Sequence, residues 1–156
     1  MNDVVRTMAA TLGVDVAVRH EGQVAEYIQF HSVDAAMRER LEQGLHGLGA
    51  AIFGEDAPRI PNTTYFAFKG IVGETLVIEL DKAGYAVAPG AACSSANPEP
   101  SATLLAMGVD AELARGAVRF SLGAGNTQQQ VDDYLRVLKA VVSRLRSLTA
   151  MAVQVE

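Results

Sequence analysis

The chain has 156 residues, of which 49% are hydrophobic and 20% are charged, and its formal net charge at pH 7 is −5. These values are typical of a globular protein and exclude a disordered or low-complexity chain. The acidic balance argues against nucleic acid or an anionic membrane as the main partner. The length predicts one domain, large enough to form a hydrophobic core without disulfides.

Cysteine usage and the N-terminal residues indicate the compartment. Cys93 is the only cysteine, which excludes an intramolecular disulfide and every metal site built from several cysteines. Asn2, Asp3 and Arg6 interrupt the apolar residues at the N-terminus, so they do not form a signal peptide pattern. No apolar run approaches the roughly 18 residues that a membrane-spanning helix needs. We therefore expect a reduced, cytoplasmic protein without a membrane partner.

The N-terminal part of the chain predicts a helix, a hairpin and a second helix. Residues 2–12 are compatible with a short helix. Strand-like patterns over 14–20 and 24–31 flank a Glu-Gly-Gln turn and predict a β-hairpin. A helix over 33–46 is predicted next, with Ser32 as its N-cap. Its apolar face comprises Val33, Met37, Leu41, Leu45 and Leu48.

The middle of the chain alternates between short strands and short helices. Strands are predicted over 63–68, 85–88 and 117–122. Helices are predicted from Gly73 to the residue before Gly84, and from Pro100 to Met107, with a further turn capped by Asp110. Turn-forming residues dominate two intervening stretches, 54–61 and 89–99.

The C-terminal helix has the clearest pattern. Thr127 and Gln130 have the spacing of a capping box. Apolar residues at helical spacing follow it, namely Val131, Tyr134, Leu135, Leu138, Val141, Val142, Leu145 and Leu148. Because helices alternate with a few short strands, the sequence predicts an α+β domain with a small, mostly antiparallel sheet covered by helices.

Cys93 is the first candidate for chemistry. A lone cysteine is most often a buried small hydrophobe. The residues from Gly90 to Ser101 are small, polar or proline and show no apolar periodicity, which favours an exposed loop instead. A thiol with the ordinary pKa of about 8.5 is mostly protonated at neutral pH. A nucleophilic Cys93 would therefore need a base, a cation or an activating substrate, and no base adjoins it in the sequence.

Arg119 is the second candidate, because it lies inside the predicted strand 117–122. An arginine in a strand is most often a solvated edge residue. Its guanidinium is also the usual bidentate partner of a carboxylate. If the strand packs near the cysteine segment, Arg119 could hold the carboxylate of an amino acid.

The other polar residues form no recognisable site. Three histidines lack the spacing of metal ligands and are interpreted as structural or surface residues, namely His20, His31 and His46. Three lysines lack a context typical of a Schiff base, namely Lys69, Lys82 and Lys139. The sequence predicts no metal site, phosphate-binding loop or serine hydrolase elbow.

Several motifs in order resemble the cysteine desulfurases, which are pyridoxal-phosphate (PLP) enzymes of the class V aminotransferase superfamily. The run from Gly90 to Ser101, followed by Leu-Leu-Ala-Met-Gly at 104–108, resembles the active-site region of group I members, which have a long, mobile cysteine loop. The sequence Glu-Leu-Ala-Arg-Gly-Ala-Val-Arg-Phe-Ser-Leu-Gly at 112–123 matches the segment that follows this loop. Two upstream motifs also fit the family, Pro61-Asn62-Thr63 and Gly73-Glu74.

The resemblance covers residues 33–148 and implies a fold, a reaction and two site residues. The fold would be that of the C-terminal small domain of fold-type I PLP enzymes. Cys93 would take sulfur from PLP-bound L-cysteine as a persulfide and pass it to an acceptor such as an iron–sulfur scaffold protein. Arg119 would bind the substrate carboxylate. Residues 1–32 remain an unplaced extension, and 149–156 form a tail.

The departures from the family pattern are as informative as the match. The Schiff-base lysine of the family follows a histidine, and this chain contains no His-Lys pair. The PLP-binding large domain is therefore expected from elsewhere, and the isolated chain is expected to be inactive. The expected partner is a large-domain chain or, as the family resemblance implies, a second copy in a homodimer. Serines that are usual near the cysteine are replaced by Ala88, Pro89 and Ala91. Residues 124–126, Ala-Gly-Asn, replace the usual Arg-Phe-Thr.

Three functions remain open from the sequence. The chain could be the cysteine-bearing part of a desulfurase that works with a separate PLP domain. It could instead be a non-enzymatic persulfide carrier, which needs Cys93 but tolerates loss of Arg119. The third possibility is a structural domain that binds a partner and needs neither residue.

Overall fold

The computed structural model of the chain describes residues 24–90, 99–123 and 125–153. The chain divides into two compact units, Met1–Phe30 and His31–Glu156. The architecture below is that of the second unit, together with the helix that begins at Val24.

A four-stranded antiparallel sheet forms the centre of this unit. Its strands are β1 (Ala51–Ile52), β2 (Thr63–Ala67), β3 (Ala88–Pro89) and β4 (Val118–Ser121). They are ordered β1-β2-β4-β3, and all three neighbouring pairs are antiparallel. In the central pair, Phe66 lies opposite Val118 and Thr64 lies opposite Phe120. The predicted α+β class with a small antiparallel sheet is confirmed.

Five helices accompany the sheet in the described residues. They are α1 (Val24–Gly47), α2 (Gly73–Lys82), α3 (Ala102–Ala106), α4 (Ala111–Arg115) and α5 (Gln128–Val153). The three longest, α1, α2 and α5, contribute to one hydrophobic core together with the sheet. Its fully buried members include Leu41, Leu45, Phe66, Leu76, Leu80, Val118 and Leu138.

A second, smaller cluster involves α3 and α4. Leu104, Ala114 and Ala117 are almost completely buried there, and Tyr65 packs against them. Because neighbouring strand residues point to opposite faces, Ala117 belongs to this cluster while Val118 belongs to the main core. The two faces of the sheet therefore have different coverings.

Several predicted elements are confirmed together with their capping residues. The strands predicted at 63–68 and 117–122 and the helix from Gly73 are present within one or two residues. The Thr127 hydroxyl accepts from the Gln130 amide at 3.3 Å, and the Gln130 side chain accepts from the Thr127 amide at 2.9 Å. Asp110 caps α4 by accepting from the Glu112 amide at 2.9 Å.

The prediction of a strand over 24–31 was wrong, because α1 begins at Val24 and runs without a break to Gly47. Ser32 therefore lies inside the helix and is not its N-cap. The apolar alternation was misleading because Val24 and Ile28 also fit helical spacing. No glycine or proline interrupts residues 24–43, so no residue there ends a helix. The elements predicted over 2–20 lie outside the described residues.

Smaller errors concern the strand and helix ends. The strand predicted at 85–88 pairs only at Ala88–Pro89. The helix predicted from Pro100 begins at Ala102, because the Ser101 hydroxyl accepts from the Leu104 amide and caps it. Strand β1 was missed since two residues are too few for a pattern. Leu148 is 54% exposed, because α5 extends beyond Leu145, the last described residue packed on the core.

Candidate functional site

Arg119 lies on β4, in the middle of the sheet. It is paired with Tyr65 of β2 on one side and with Ala88 of β3 on the other. Its side chain is exposed, while its neighbours Val118 and Phe120 contact the main core. The guanidinium therefore projects from the sheet face opposite that core. The predicted strand is confirmed, and Arg119 is exposed without lying on an edge strand.

No described carboxylate lies within ion-pair distance of the Arg119 guanidinium. Two hydroxyl groups occupy the same face next to it, since Ser121 follows two positions later on β4. The Ser121 and Thr63 oxygens are 3.2 Å apart and both groups are accessible. An exposed guanidinium beside two hydroxyls is suited to binding a carboxylate, which accepts hydrogen bonds through both oxygens.

Cys93 lies outside the described residues, but the chain is described up to Gly90 and again from Glu99. Gly90 follows β3 directly, and its amide donates to the Ala117 carbonyl at 2.7 Å. Its own carbonyl accepts from the Tyr65 hydroxyl at 2.7 Å. The last described residue before the cysteine segment is thus bonded through both of its backbone groups.

The residues after the cysteine segment contact the same cluster. Ser101 caps α3, and Leu104 on the first turn of α3 is 1% exposed. Leu104 is buried with Ala117, against which Tyr65 also packs. Both ends of the segment between Gly90 and Ser101 are therefore anchored on the smaller cluster.

Tyr65 is the residue that sequence reasoning missed. It was predicted only as part of a strand, and its hydroxyl has a tertiary role that no local pattern indicates. The available signal was its position in a strand whose other central residues, Thr64 and Phe66, are buried. A partly buried tyrosine usually has a hydrogen-bond partner for its hydroxyl, so a partner could have been expected but not identified.

The lysines and histidines form no recognisable site among the described residues. All three lysines are exposed, and the ammonium group of Lys82 is paired with Glu79 at 2.8 Å. His46 is 2.9 Å from Glu55 on the surface, His31 lies within α1, and His20 is outside the described residues. The described residues contain no group of three or more His, Cys, Asp or Glu that could hold a metal. None of the described helices is long and apolar enough to cross a membrane.

Charged groups on the opposite face have structural roles. Glu42 of α1 accepts from Arg59 at 2.8 Å and from the Thr64 hydroxyl of β2 at 2.8 Å, which ties the sheet to the helix. A bidentate hydrogen bond from Arg40 lowers the pKa of Asp132 on α5. Burial raises the pKa of the Tyr134 hydroxyl. The Glu42 and Asp132 contacts join helices and the sheet, whereas the buried Tyr134 hydroxyl has no hydrogen-bond partner among the described residues.

Comparison with known proteins identifies the relatives of this arrangement. The family model for class V aminotransferases matches residues 6–134, so the match begins within the segment 1–32. A cysteine desulfurase of Gluconacetobacter diazotrophicus is 40% identical over 134 residues, which are 81% of this chain and 34% of the relative. The cysteine desulfurase NifS of Azotobacter vinelandii is 32% identical over 144 residues, or 90% of this chain and 35% of the relative.

A solved structure supports the same relationship. A NifS-like protein superimposes with a TM-score of 0.63 at 33% identity, over 72% of this chain and 28% of that chain. The present chain spans about a third of the length of the curated relatives it matches.

Proposed function

Because the chain belongs to the class V aminotransferase family and resembles cysteine desulfurases, we propose that it takes part in removing sulfur from L-cysteine. Cys93 would receive the sulfur as a persulfide. Arg119 would bind the carboxylate of the substrate, and a partner would supply the PLP site. The final acceptor would be a protein such as an iron–sulfur scaffold. We assign this role to residues 33–148.

The register of β3 and β4 is the observation that carries this proposal. Ala88 pairs with Arg119, and the chain then runs through Gly90 toward Cys93. The candidate carboxylate-binding residue therefore lies beside the strand that leads into the cysteine segment. A substrate held by Arg119 would be bound close to where that segment begins.

The proposed transfer balances without another reactant. The Cys93 sulfur forms a bond with the sulfur of L-cysteine, and the carbon–sulfur bond of L-cysteine breaks. The thiol and L-cysteine together give the persulfide and alanine, because the carbon that loses sulfur takes up a proton. No external oxidant or reductant is required. Cys93 has no adjacent base in the sequence, so it depends on another source of activation. An activated substrate meets this requirement.

The lysines of this chain do not fit the role of the family's PLP lysine. Such a lysine works in a desolvated or cation-flanked site, where its pKa is lowered. Lys69 and Lys139 are exposed, and Lys82 is both exposed and paired with Glu79. We therefore assign the PLP site to a partner that carries a large domain, since this chain spans only 34% of the G. diazotrophicus relative.

The test measures the intact mass of the reduced chain after incubation with L-cysteine, PLP and a donor desulfurase. In one arm the donor is the G. diazotrophicus enzyme with its active-site cysteine replaced by alanine. In the second arm the donor is intact, and in the third arm it is omitted. Cys93→Ser is the control in every arm, because it removes the only thiol of the chain.

Uptake of one sulfur atom by Cys93 from the donor without its own cysteine is the expected result. Uptake only from the intact donor would support the alternative, a persulfide carrier that is loaded by a complete enzyme. Because the exposed lysines do not fit the role of a PLP lysine, the carrier is favoured over an enzyme that acts alone. An adduct without any donor would contradict the assignment of the PLP site to a partner. No uptake in any arm would contradict the proposed function.

A further inference from the structure

Tyr65 connects the candidate substrate-binding strand with the beginning of the cysteine segment. It lies directly opposite Arg119 in the central strand pair, and its hydroxyl donates to the Gly90 carbonyl at 2.7 Å. Its ring packs edge-on against Phe53, with ring centroids 5.4 Å apart. The side chain is thus held at the ring as well as at the hydroxyl, so the position of Gly90 is set by a fixed donor.

Gly90 fits this position because no side chain could be accommodated there. A Cβ atom on Gly90 would lie 2.3 Å from the Tyr65 oxygen and 2.5 Å from the Ala117 Cβ. Other glycines of the chain have a positive φ angle, but Gly90 does not. The limited space around Gly90, and not its backbone torsion, therefore requires glycine. The amide of Gly90 is also bonded, to the Ala117 carbonyl. Gly90 is therefore held tightly against both β2 and β4.

We propose that Tyr65 is a positioning residue for sulfur transfer. It acts through Gly90, because fixing this residue fixes the point from which the chain leaves the sheet toward Cys93. Since Gly90 is two positions after the partner of Arg119, the same contact sets the start of the cysteine segment relative to the carboxylate-binding strand. This inference rests on the proposed function, and the experiment below separates the two.

The test compares Tyr65→Phe with Tyr85→Phe in the full chain. Tyr65→Phe keeps the ring that packs on Phe53 and removes only the donor to Gly90. Tyr85 is a matched control, because its ring packs on Tyr134 of the main core at a centroid distance of 5.3 Å. Three quantities are measured in each variant: the sulfur transfer rate from the donor desulfurase, the alkylation rate of Cys93 by iodoacetamide, and amide hydrogen exchange at Gly90.

We expect Tyr65→Phe to slow sulfur transfer by about fivefold, which corresponds to loss of one hydrogen bond of ordinary strength. Alkylation by a small reagent needs no defined approach, so its rate should stay close to that of the unmodified chain. This split between the two rates would not follow from a general loss of stability, which would alter both rates. Exchange at Gly90 should also rise by about fivefold. Tyr85→Phe should leave the ratio of the two rates unchanged.

Equal changes of both rates in Tyr65→Phe, or no change in either, would overturn the positioning role. If the unmodified chain accepts no sulfur at all, the proposed function fails, and hydrogen exchange still decides whether Tyr65 anchors Gly90. Unaltered exchange at Gly90 in Tyr65→Phe would overturn the inference in that case as well. If exchange at Gly90 is faster in Tyr65→Phe but not in Tyr85→Phe, Tyr65 does anchor Gly90. In that case the role of this anchor in sulfur transfer fails together with the proposed function.

Discussion

The two faces of the sheet differ in what covers them and in what they expose. One face packs against α1, α2 and α5, and the residues there that point inward are apolar except Thr64, whose hydroxyl donates to Glu42 of α1. Among the described residues, the other face is covered only near α3 and α4, by a cluster of three buried residues, Leu104, Ala114 and Ala117. Beyond that cluster it exposes Arg119 and the Thr63–Ser121 hydroxyl pair.

This difference indicates that alternate residues of a single strand have different roles. On β4, Val118 contributes to the main core, whereas the side chain of its neighbour Arg119 is exposed. Since adjacent residues of a strand face opposite ways, a strand can be fixed by one face while it presents chemistry on the other. We therefore expect substitutions on the first face to affect stability, and substitutions on the second to affect sulfur transfer.

The largest effect is expected from Phe66→Ala, on the main core face of β2. Phe66 is fully buried and packs on Phe68 with ring centroids 5.8 Å apart. Truncation of a buried phenylalanine costs about 3–5 kcal/mol, because a cavity is left in addition to the lost apolar burial. Urea denaturation would measure this loss. Ile78→Ala is the control, since Ile78 is 48% exposed and its truncation should cost about 0.5 kcal/mol or less.

Arg119→Ala should have the next largest effect, on transfer and not on stability. A charge-assisted contact to a carboxylate contributes about 1.5–3 kcal/mol, so transfer from L-cysteine should fall by about tenfold or more. The free energy of unfolding should change by about 0.5 kcal/mol or less, because the side chain is exposed. Arg115→Ala, another exposed arginine four positions earlier, is the control. Equal losses in the two variants would contradict a specific role for Arg119, and an unaltered transfer rate would favour the carrier function.

Gly90→Ala tests how tightly the second face is built around the cysteine segment. The added methyl group would conflict with Tyr65 and Ala117, and overpacking of this kind costs about 1–3 kcal/mol. Gly47→Ala is the matched control, because Gly47 ends α1 and has no atom within 4 Å of the added position. That substitution should be neutral or stabilise the helix by up to about 1 kcal/mol. Thermal unfolding of both variants distinguishes them, and equal effects would mean that the space at Gly90 is not restrictive.

The sequence predicted the first face better than the second. The apolar spacing of Met37, Leu41 and Leu45 on α1 and of Val131 and Leu138 on α5 identified buried residues correctly. Such patterns repeat along a helix, so many residues indicate the same face. The strand containing Arg119 was also predicted correctly, and the family resemblance supplied the role proposed for this residue.

The contacts around Gly90 could not be predicted because they join residues that are distant in the chain. The hydrogen bond from Tyr65 spans 25 positions, and neither residue is part of a repeating pattern that indicates the other. The strand predicted over 24–31 failed for a different reason. Its short alternation was also compatible with a helix, and continuation into the long helix α1 decided between the two.

The smallest effect is expected from the ion pairs on the main core side, and it depends on pH. Hydrogen bonding from Arg40 lowers the pKa of Asp132 in the folded protein below its ordinary value of about 3.9. A carboxylate with a lowered pKa contributes stability that is fully present above its unfolded pKa and is lost as the pH falls through the folded value. The contribution should be small, because Asp132 and Arg40 are accessible to solvent and screened by salt.

The difference in melting temperature between the unmodified chain and Asp132→Asn should therefore be constant from pH 7 to about pH 5 and shrink below about pH 4. Asp81→Asn is the control, since Asp81 forms no ion pair among the described residues. A difference that grows as the pH falls would contradict this account of the Arg40–Asp132 pair, and one that is unchanged down to pH 3 would show that the charge of Asp132 does not contribute.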